Sequence, residues 1–174
     1  MMMTRLKRLF RHAWLEQSST HQLVPTAIVE RLRRQVAASE KRHTGEIRIY
    51  VETALPLGYL WRKTSTPAIT RQRAVALFGE LGVWDTAHNN GVLIYLLLAE
   101  HAIEVVADRG IDARTGSPVW AHLTSHMSAA FQQGRFEEGL TQALEEVSTV
   151  LVQHFPTKPG STNPNELPDS PVIR

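Results

Sequence analysis

Cysteine is absent from the 174 residues, which excludes disulfide staples and thiol chemistry and leaves the redox compartment unmarked. No apolar run approaches the roughly 20 residues needed to cross a bilayer. The first 14 residues carry scattered charges instead of the apolar region of a signal peptide. The expectation is a cytoplasmic chain, at most peripheral to a membrane. Catalytic signatures are also missing. There is no phosphate-binding P-loop, no Gly-x-Ser-x-Gly elbow, no Gly-x-Gly-x-x-Gly, no His-Glu-x-x-His and no EF-hand spacing. No internal repeat is visible.

Apolar residues make up 43% of the chain, enough for a real core in one domain with extensions. The net charge of +2 is unevenly placed. Residues 1–43 hold nine Lys/Arg against three Glu, and the remainder is net acidic. A basic front half suits nucleic acid, an anionic membrane surface, or simply a solvated helix face. Aromatic side chains are not interleaved with these charges, so nucleic acid is not favoured.

Residues 1–20 are expected to form a basic amphipathic helix, centred on 4–15. Leu6, Leu9, Phe10, Ala13 and Trp14 share its apolar face, and Arg5, Lys7, Arg8 and Arg11 lie mostly off it. The pattern fits an interfacial helix or one docked on its own domain; its shortness favours docking. A helix is expected over 26–43 with Ile28, Leu32 and Val36 inward, stopped by Thr44-Gly45. Residues 46–54 alternate as a strand with one less buried face: Ile47, Ile49 and Val51 against Glu46, Arg48, Tyr50 and Glu52. After a loop with Pro56, Gly58 and Trp61, a helix runs to Leu81, where Gly82 ends it. The run Val92-Leu93-Ile94-Tyr95-Leu96-Leu97-Leu98 reads as a strand buried on both faces. Residues 102–107 form a third strand, linked so closely that the pair must be an antiparallel hairpin. Helices are expected over 118–133 and 136–155. Residues 156–174, rich in Pro, Ser, Thr and Asn, are expected to be disordered.

This order implies an α/β three-layer sandwich: a short mixed sheet with a parallel β-α-β unit and a β-hairpin, and helices on both faces. The strand directions gather Glu46, Asp85, Asn89, Asn90, Asp108 and Asp112 at one rim. These hard oxygen donors suit Ca²⁺ or Mg²⁺ rather than zinc. Arg109 and the Gly110 turn can meet an anion. Asx residues and glycines also make turns with no ligand at all. His88 borders the Asn-Asn turn as a candidate acid or base, though a solvated loop histidine is the commoner case. His122 and His126 sit four apart on a helix, without the glutamate of a zinc protease.

Gly45-Glu46-Ile47, Arg73-Ala74 to Phe78, Leu81-Gly82-Val83, Asn89-Asn90-Gly91-Val92-Leu93-Ile94, Ile103-Glu104-Val105, Asp108-Arg109-Gly110 and Gly134-Arg135-Phe136 form an ordered set. Trp120, Met127, Phe131 and Gly139-Leu140 complete it. The set resembles the TPM domain family, named for thylakoid-lumen, photosystem II repair and nematode receptor-modulating proteins, over residues 26–155. The resemblance implies the same three-layer sandwich. Some family members are described as acid phosphatases, some bind a divalent ion at the sheet edge, and others are membrane-linked accessory proteins. Two departures stand out: this chain has neither signal peptide nor membrane helix, and where many members carry an acid before the helix after the third strand, it reads Ala113-Arg114-Thr115. The expectation is a soluble accessory module that engages a membrane-associated protein partner, with weak anionic membrane contact through 4–15. The rival is a divalent-metal-dependent phosphatase using Asp85 and Asp108 as main ligands, Asn89 and Asn90 as neutral donors, and Arg109 to steady charge.

Overall fold

A computed structural model describes residues 8–12, 24–115, 119–120, 130–158, 160 and 164–174. The labelled elements are α1 (Thr26–Ser39), β1 (Glu46–Glu52), α2 (Leu57–Leu60), α3 (Thr66–Glu80), β2 (Gly91–Leu97), β3 (Ala102–Ala107), α4 (Arg109–Thr115), α5 (Phe136–His154) and β4 (Val172–Ile173). The strands form one sheet in the order β3-β2-β1-β4. As the sequence implies, β1 and β2 run parallel, with Glu46 opposite Gly91 and Glu52 opposite Leu97. β3 returns antiparallel to β2 after a single 3₁₀ turn over Leu98–Glu100, with His101 left-handed at φ 48°.

Both faces of the sheet are covered, because a parallel pair leaves its crossover helices nowhere else to pack. On one face, Leu32 and Val36 of α1 and Leu144, Val147 and Leu151 of α5 meet Ile47, Ile49, Ile94 and Leu96. On the other, Ile69, Ala74 and Leu77 of α3 meet Tyr50, Leu93, Tyr95 and Leu97. The chain is thus a three-layer α/β sandwich. A fully buried Leu or Ile contributes about 1.5–3 kcal/mol over an exposed one, so these two layers outweigh any single polar contact.

Four local expectations are corrected. The helix expected over 26–43 stops at Ser39, because Glu40 turns to accept the Ile47 N–H at 2.9 Å and His43 bridges to Pro156. The second face of β1 is more buried than expected: Glu46, Tyr50 and Glu52 are all buried under α3 and the last residues of the chain, and only Arg48 is half-exposed. In the tail expected to be disordered over 156–174, residues 167–174 pack on the domain. β4 pairs parallel with β1, Val172 opposite Tyr50 and Ile173 opposite Val51, and Leu167 joins the α3-side core. Composition argued for disorder, but the few apolar residues are spaced to cover an open sheet edge. In the helical turn over 8–12 the expected division fails: Arg8 and His12 are buried beside the half-buried Leu9, whereas Phe10 is 72% exposed. The rest of the expected N-terminal helix, and most of the helix over 118–133 including His122, His126 and Met127, lie outside the described residues. Among the described residues no helix is long and apolar enough to cross a membrane.

Candidate functional site

The strand directions bring the starts of β1 and β2 and the end of β3 to one rim. Gly91 accepts the Asp108 N–H at 2.9 Å and Asn90 O accepts the Glu46 N–H. Two glycines permit the close approach. A Cβ on Gly91 would lie 2.0 Å from Val83 O, and one on Gly110 would lie 2.5 Å from Asn89 O. Asn89 takes the left-handed conformation, φ 51°, which Asn tolerates better than most residues. Its Oδ1 accepts two hydrogen bonds from Arg109, at 3.2 and 3.1 Å.

Most rim donors are already engaged. Asn90 is buried, donates to Thr44 O at 2.8 Å, and its own N–H goes to Thr86 Oγ1. Glu46 accepts the Leu167 N–H at 3.0 Å, and burial raises its pKa. Asp112 accepts the Trp120 indole N–H at 3.0 Å. Asp85 lies exposed in the loop before β2, and no hydrogen bond or ion pair among the described residues ties its carboxylate to Asp108 or Asn89. Asp108 differs. It is 6% exposed, its Oδ1 takes the Arg109 N–H at 2.7 Å, and its Oδ2 is buried without a partner.

Ca²⁺ and Mg²⁺ take six or more oxygens; among the described residues the rim offers one uncommitted buried carboxylate oxygen, on Asp108. Among the described residues no three His, Asp or Glu side chains converge on a common point. Beside the rim opens a basin of about 590 Å³, lined by His88, Arg114, His154, Phe155 and Glu166 among others. Arg114 donates to His154 O at 2.6 Å and lies 4.3 Å over the Phe155 ring.

The opposite end of the sheet holds polar groups that the sequence pattern concealed. Arg73 of α3 reaches Glu52 of β1 with Nε and Nη2, the closest contact being 2.8 Å, and Tyr95 of β2 donates its hydroxyl to the same carboxylate at 2.7 Å. All three side chains are buried. Burial works against the Arg73 charge, but its bonds to Glu52 prevail and its pKa rises; burial and Glu52 raise that of Tyr95. Nearby, His12 accepts the Leu55 N–H at 2.9 Å through Nδ1 and meets Glu100 at 3.0 Å through Nε2. Arg8 donates to Leu60 O at 2.6 Å and Arg62 O at 3.1 Å. The one available signal was helical spacing: Arg73 is four residues after Ile69 and four before Leu77, squarely on the inner stripe of α3.

Comparison with known proteins accords with this architecture. The TPM domain family model matches residues 20–150. The fold is similar to the NMR structure of BA42 protein from the psychrophilic bacterium Bizionia argentinensis: TM-score 0.69, 25% identity, 84% of this chain and 92% of that one. It is also similar to the solution NMR structure of the N-terminal domain of a protein from P. gingivalis, with TM-score 0.59 and 18% identity over 78% of this chain and 83% of that one. No curated protein matches. The match over residues 20–150 covers well over half of the sequence, and the chain belongs to the TPM domain family.

Proposed function

We propose that this TPM-domain protein is a non-enzymatic accessory module that rests against an anionic membrane surface through the face made by residues 8–12 and α2. One observation carries the reading: Phe10, Leu57 and Trp61 are 72%, 67% and 68% exposed on the outer side of these two adjoining turns. The turns are held together by Arg8 and His12, whose bonds to the 55–64 segment turn these two side chains inward while Phe10, Leu57 and Trp61 stay outward. Arg11, Arg62 and Lys63 lie exposed around the apolar trio. Tryptophan favours the headgroup boundary, and each basic residue near an anionic leaflet adds about 1 kcal/mol. One apolar anchor gives only marginal attachment, so apolar and basic contacts act together.

Co-sedimentation with phosphatidylserine-containing vesicles tests this, with phosphatidylcholine vesicles as control. The wild-type chain should pellet with the anionic vesicles, and the Phe10→Ser/Trp61→Ser double variant should bind at least tenfold less. Equal binding by the two proteins would remove the proposal.

A phosphatase that depends on a divalent ion is the second reading, and the partnerless Asp108 Oδ2 favours it. An ion site saturated at 100 times its dissociation constant adds about 2.7 kcal/mol of stability. Melting curves unchanged by millimolar Mg²⁺, Ca²⁺ or Mn²⁺ set it aside.

A further inference from the structure

His12 is 1% exposed, and both of its ring nitrogens are committed. Nδ1 accepts the Leu55 N–H at 2.9 Å. Nε2 meets the Glu100 carboxylate at 3.0 Å. A main-chain amide only donates, so Nδ1 must present its lone pair. A carboxylate only accepts, so Nε2 must carry the proton. The two contacts together assign the neutral Nε2–H tautomer. A second proton has one place to go, Nδ1, where it would point at the Leu55 N–H. Two donors would then face each other in a closed site, and a buried amide would lose its acceptor. In an ordinary histidine–carboxylate pair protonation strengthens the contact. Here the carboxylate already takes the Nε2–H and an Arg11 N–H at 2.9 Å, so the gain on that side is opposed by the loss at Leu55.

The charged groups around the ring agree. Among the described residues Glu100 is the acid that meets it. Arg11 and Arg8 of the same turn bring positive charge, Arg8 while bonded to Leu60 O and Arg62 O. The segment Thr53–Pro56 brings no titratable side chain, and Glu52, Arg73 and Arg174 line the cavity along it. His101, next to Glu100, sets its ring against Phe136 at 5.3 Å. We propose that His12 is a proton-released latch. Neutral, it pins the turn over 8–12 to Leu55; protonated, it lets that turn go. Docking is favoured at higher pH and lost as pH falls, because the released state binds the extra proton. Release takes Leu9 off the α3-side core and Phe10 away from Leu57 and Trp61. The latch lies within the face proposed for membrane contact, but its readout needs no membrane, so either reading can fail alone.

The test follows the full chain by NMR from about pH 8 to about pH 5, the span over which histidine ordinarily changes charge. The hydrogen-exchange protection factor of the Leu55 amide, which corrects for the intrinsic pH dependence of exchange, should fall at least tenfold across that span. Protection of the β2 amides should hold, since only the turn opens. At the alkaline end the ring ¹⁵N shifts of His12 should report the Nε2–H tautomer, and its protonated signal should grow in step with the loss at Leu55. His12→Asn offers an Oδ1 to the Leu55 N–H but does not titrate, so it should keep Leu55 protection constant. A His12 ring that takes up a proton while Leu55 stays protected overturns the proposal. So does an Nδ1–H tautomer at the alkaline end, a ring that stays neutral throughout, or an unchanged pH response in a docked His12→Asn chain. Should that variant not dock, the ring titration and the Leu55 protection still decide, because both are read on the wild-type chain.

Discussion

The two ends of the sheet use polar residues in opposite ways. Where β1 and β2 begin, short Asx side chains and glycines shape the main chain, and the charged group at the surface, Arg109, binds a neutral amide. Where β1 and β2 finish, long charged side chains are buried and bound to one another, with Glu52 shared by Arg73 and Tyr95. The exposed members of the first arrangement tolerate loss of a side chain because water can replace it. The second does not, since removing one partner strands the other in a low dielectric. Arg73→Ala should therefore be the most damaging change, at about 3–5 kcal/mol in urea unfolding. Tyr95→Phe should cost about 1.5–3 kcal/mol, the range for a hydrogen bond to a charged group. An Arg73→Ala loss below 1 kcal/mol would show that the two ends are energetically alike.

The rim has its own sensitive points, but they lie in the backbone. A Cβ on Gly91 meets Val83 O at 2.0 Å, a main-chain atom that cannot rotate away. Gly91→Ala should cost about 1–3 kcal/mol by overpacking, more than truncating an exposed side chain at that end. A neutral result in thermal melting would mean the loop before β2 yields.

Titration distinguishes the ends of the comparison further, since the residues beside the rim include a buried acid and a buried base with opposite shifts. Burial pushes Glu40 up to about 8 from 4.5 and His43 down to about 4 from 6.5. Folded Glu40 holds its proton more tightly than the unfolded chain does, so its contribution is present below pH 4.5 and lost as pH rises through about 8. For His43 the folded state binds its proton less tightly, so stability is lost as pH falls from 6.5 towards about 4. Between pH 4.5 and 6.5 the two slopes oppose each other. Above 6.5 the Glu40 slope remains, about 1.4 kcal/mol per pH unit. Unfolding free energy should thus fall by about 2 kcal/mol from pH 6.5 to 8, and Glu40→Gln should flatten most of that fall.

What the sequence revealed follows the same division. The strand after Asn90, expected over 92–98 and found over Gly91–Leu97, its parallel direction beside β1 and the hairpin to β3 were legible, because apolar runs and turn chemistry are local signals. The meeting of Asn89, Asp108 and Arg109 followed from strand direction alone. Arg73 and Glu52 were hidden because an alternating or amphipathic pattern marks an inward polar residue as a solvated one. Arg8 and His12 were hidden for the same reason, as was the docking of Leu167 and Ile173, whose partners lie more than 100 residues earlier in the chain. Asp85 was legible as a loop residue, but its sequence position did not specify that the loop would leave it exposed.

The smallest expected effect lies at the rim's most exposed contact. Arg109 donates twice to Asn89 Oδ1 across a pair that water reaches freely. Exposed pairs of this kind are worth about 0–1 kcal/mol, and Asn89 is also held by its left-handed backbone. Arg109→Ala should therefore change stability by less than about 0.5 kcal/mol. Asn89→Ala should cost about 1 kcal/mol or slightly more, because alanine is strained at φ 51°. Asn89→Gly separates the two causes. It removes the same amide but accepts the backbone conformation, and it should be less destabilising than Asn89→Ala. If glycine proves as costly as alanine, the Arg109 bond rather than the turn holds this corner, and the contrast between a rim built on main-chain shape and a far end built on buried charge weakens at its clearest point.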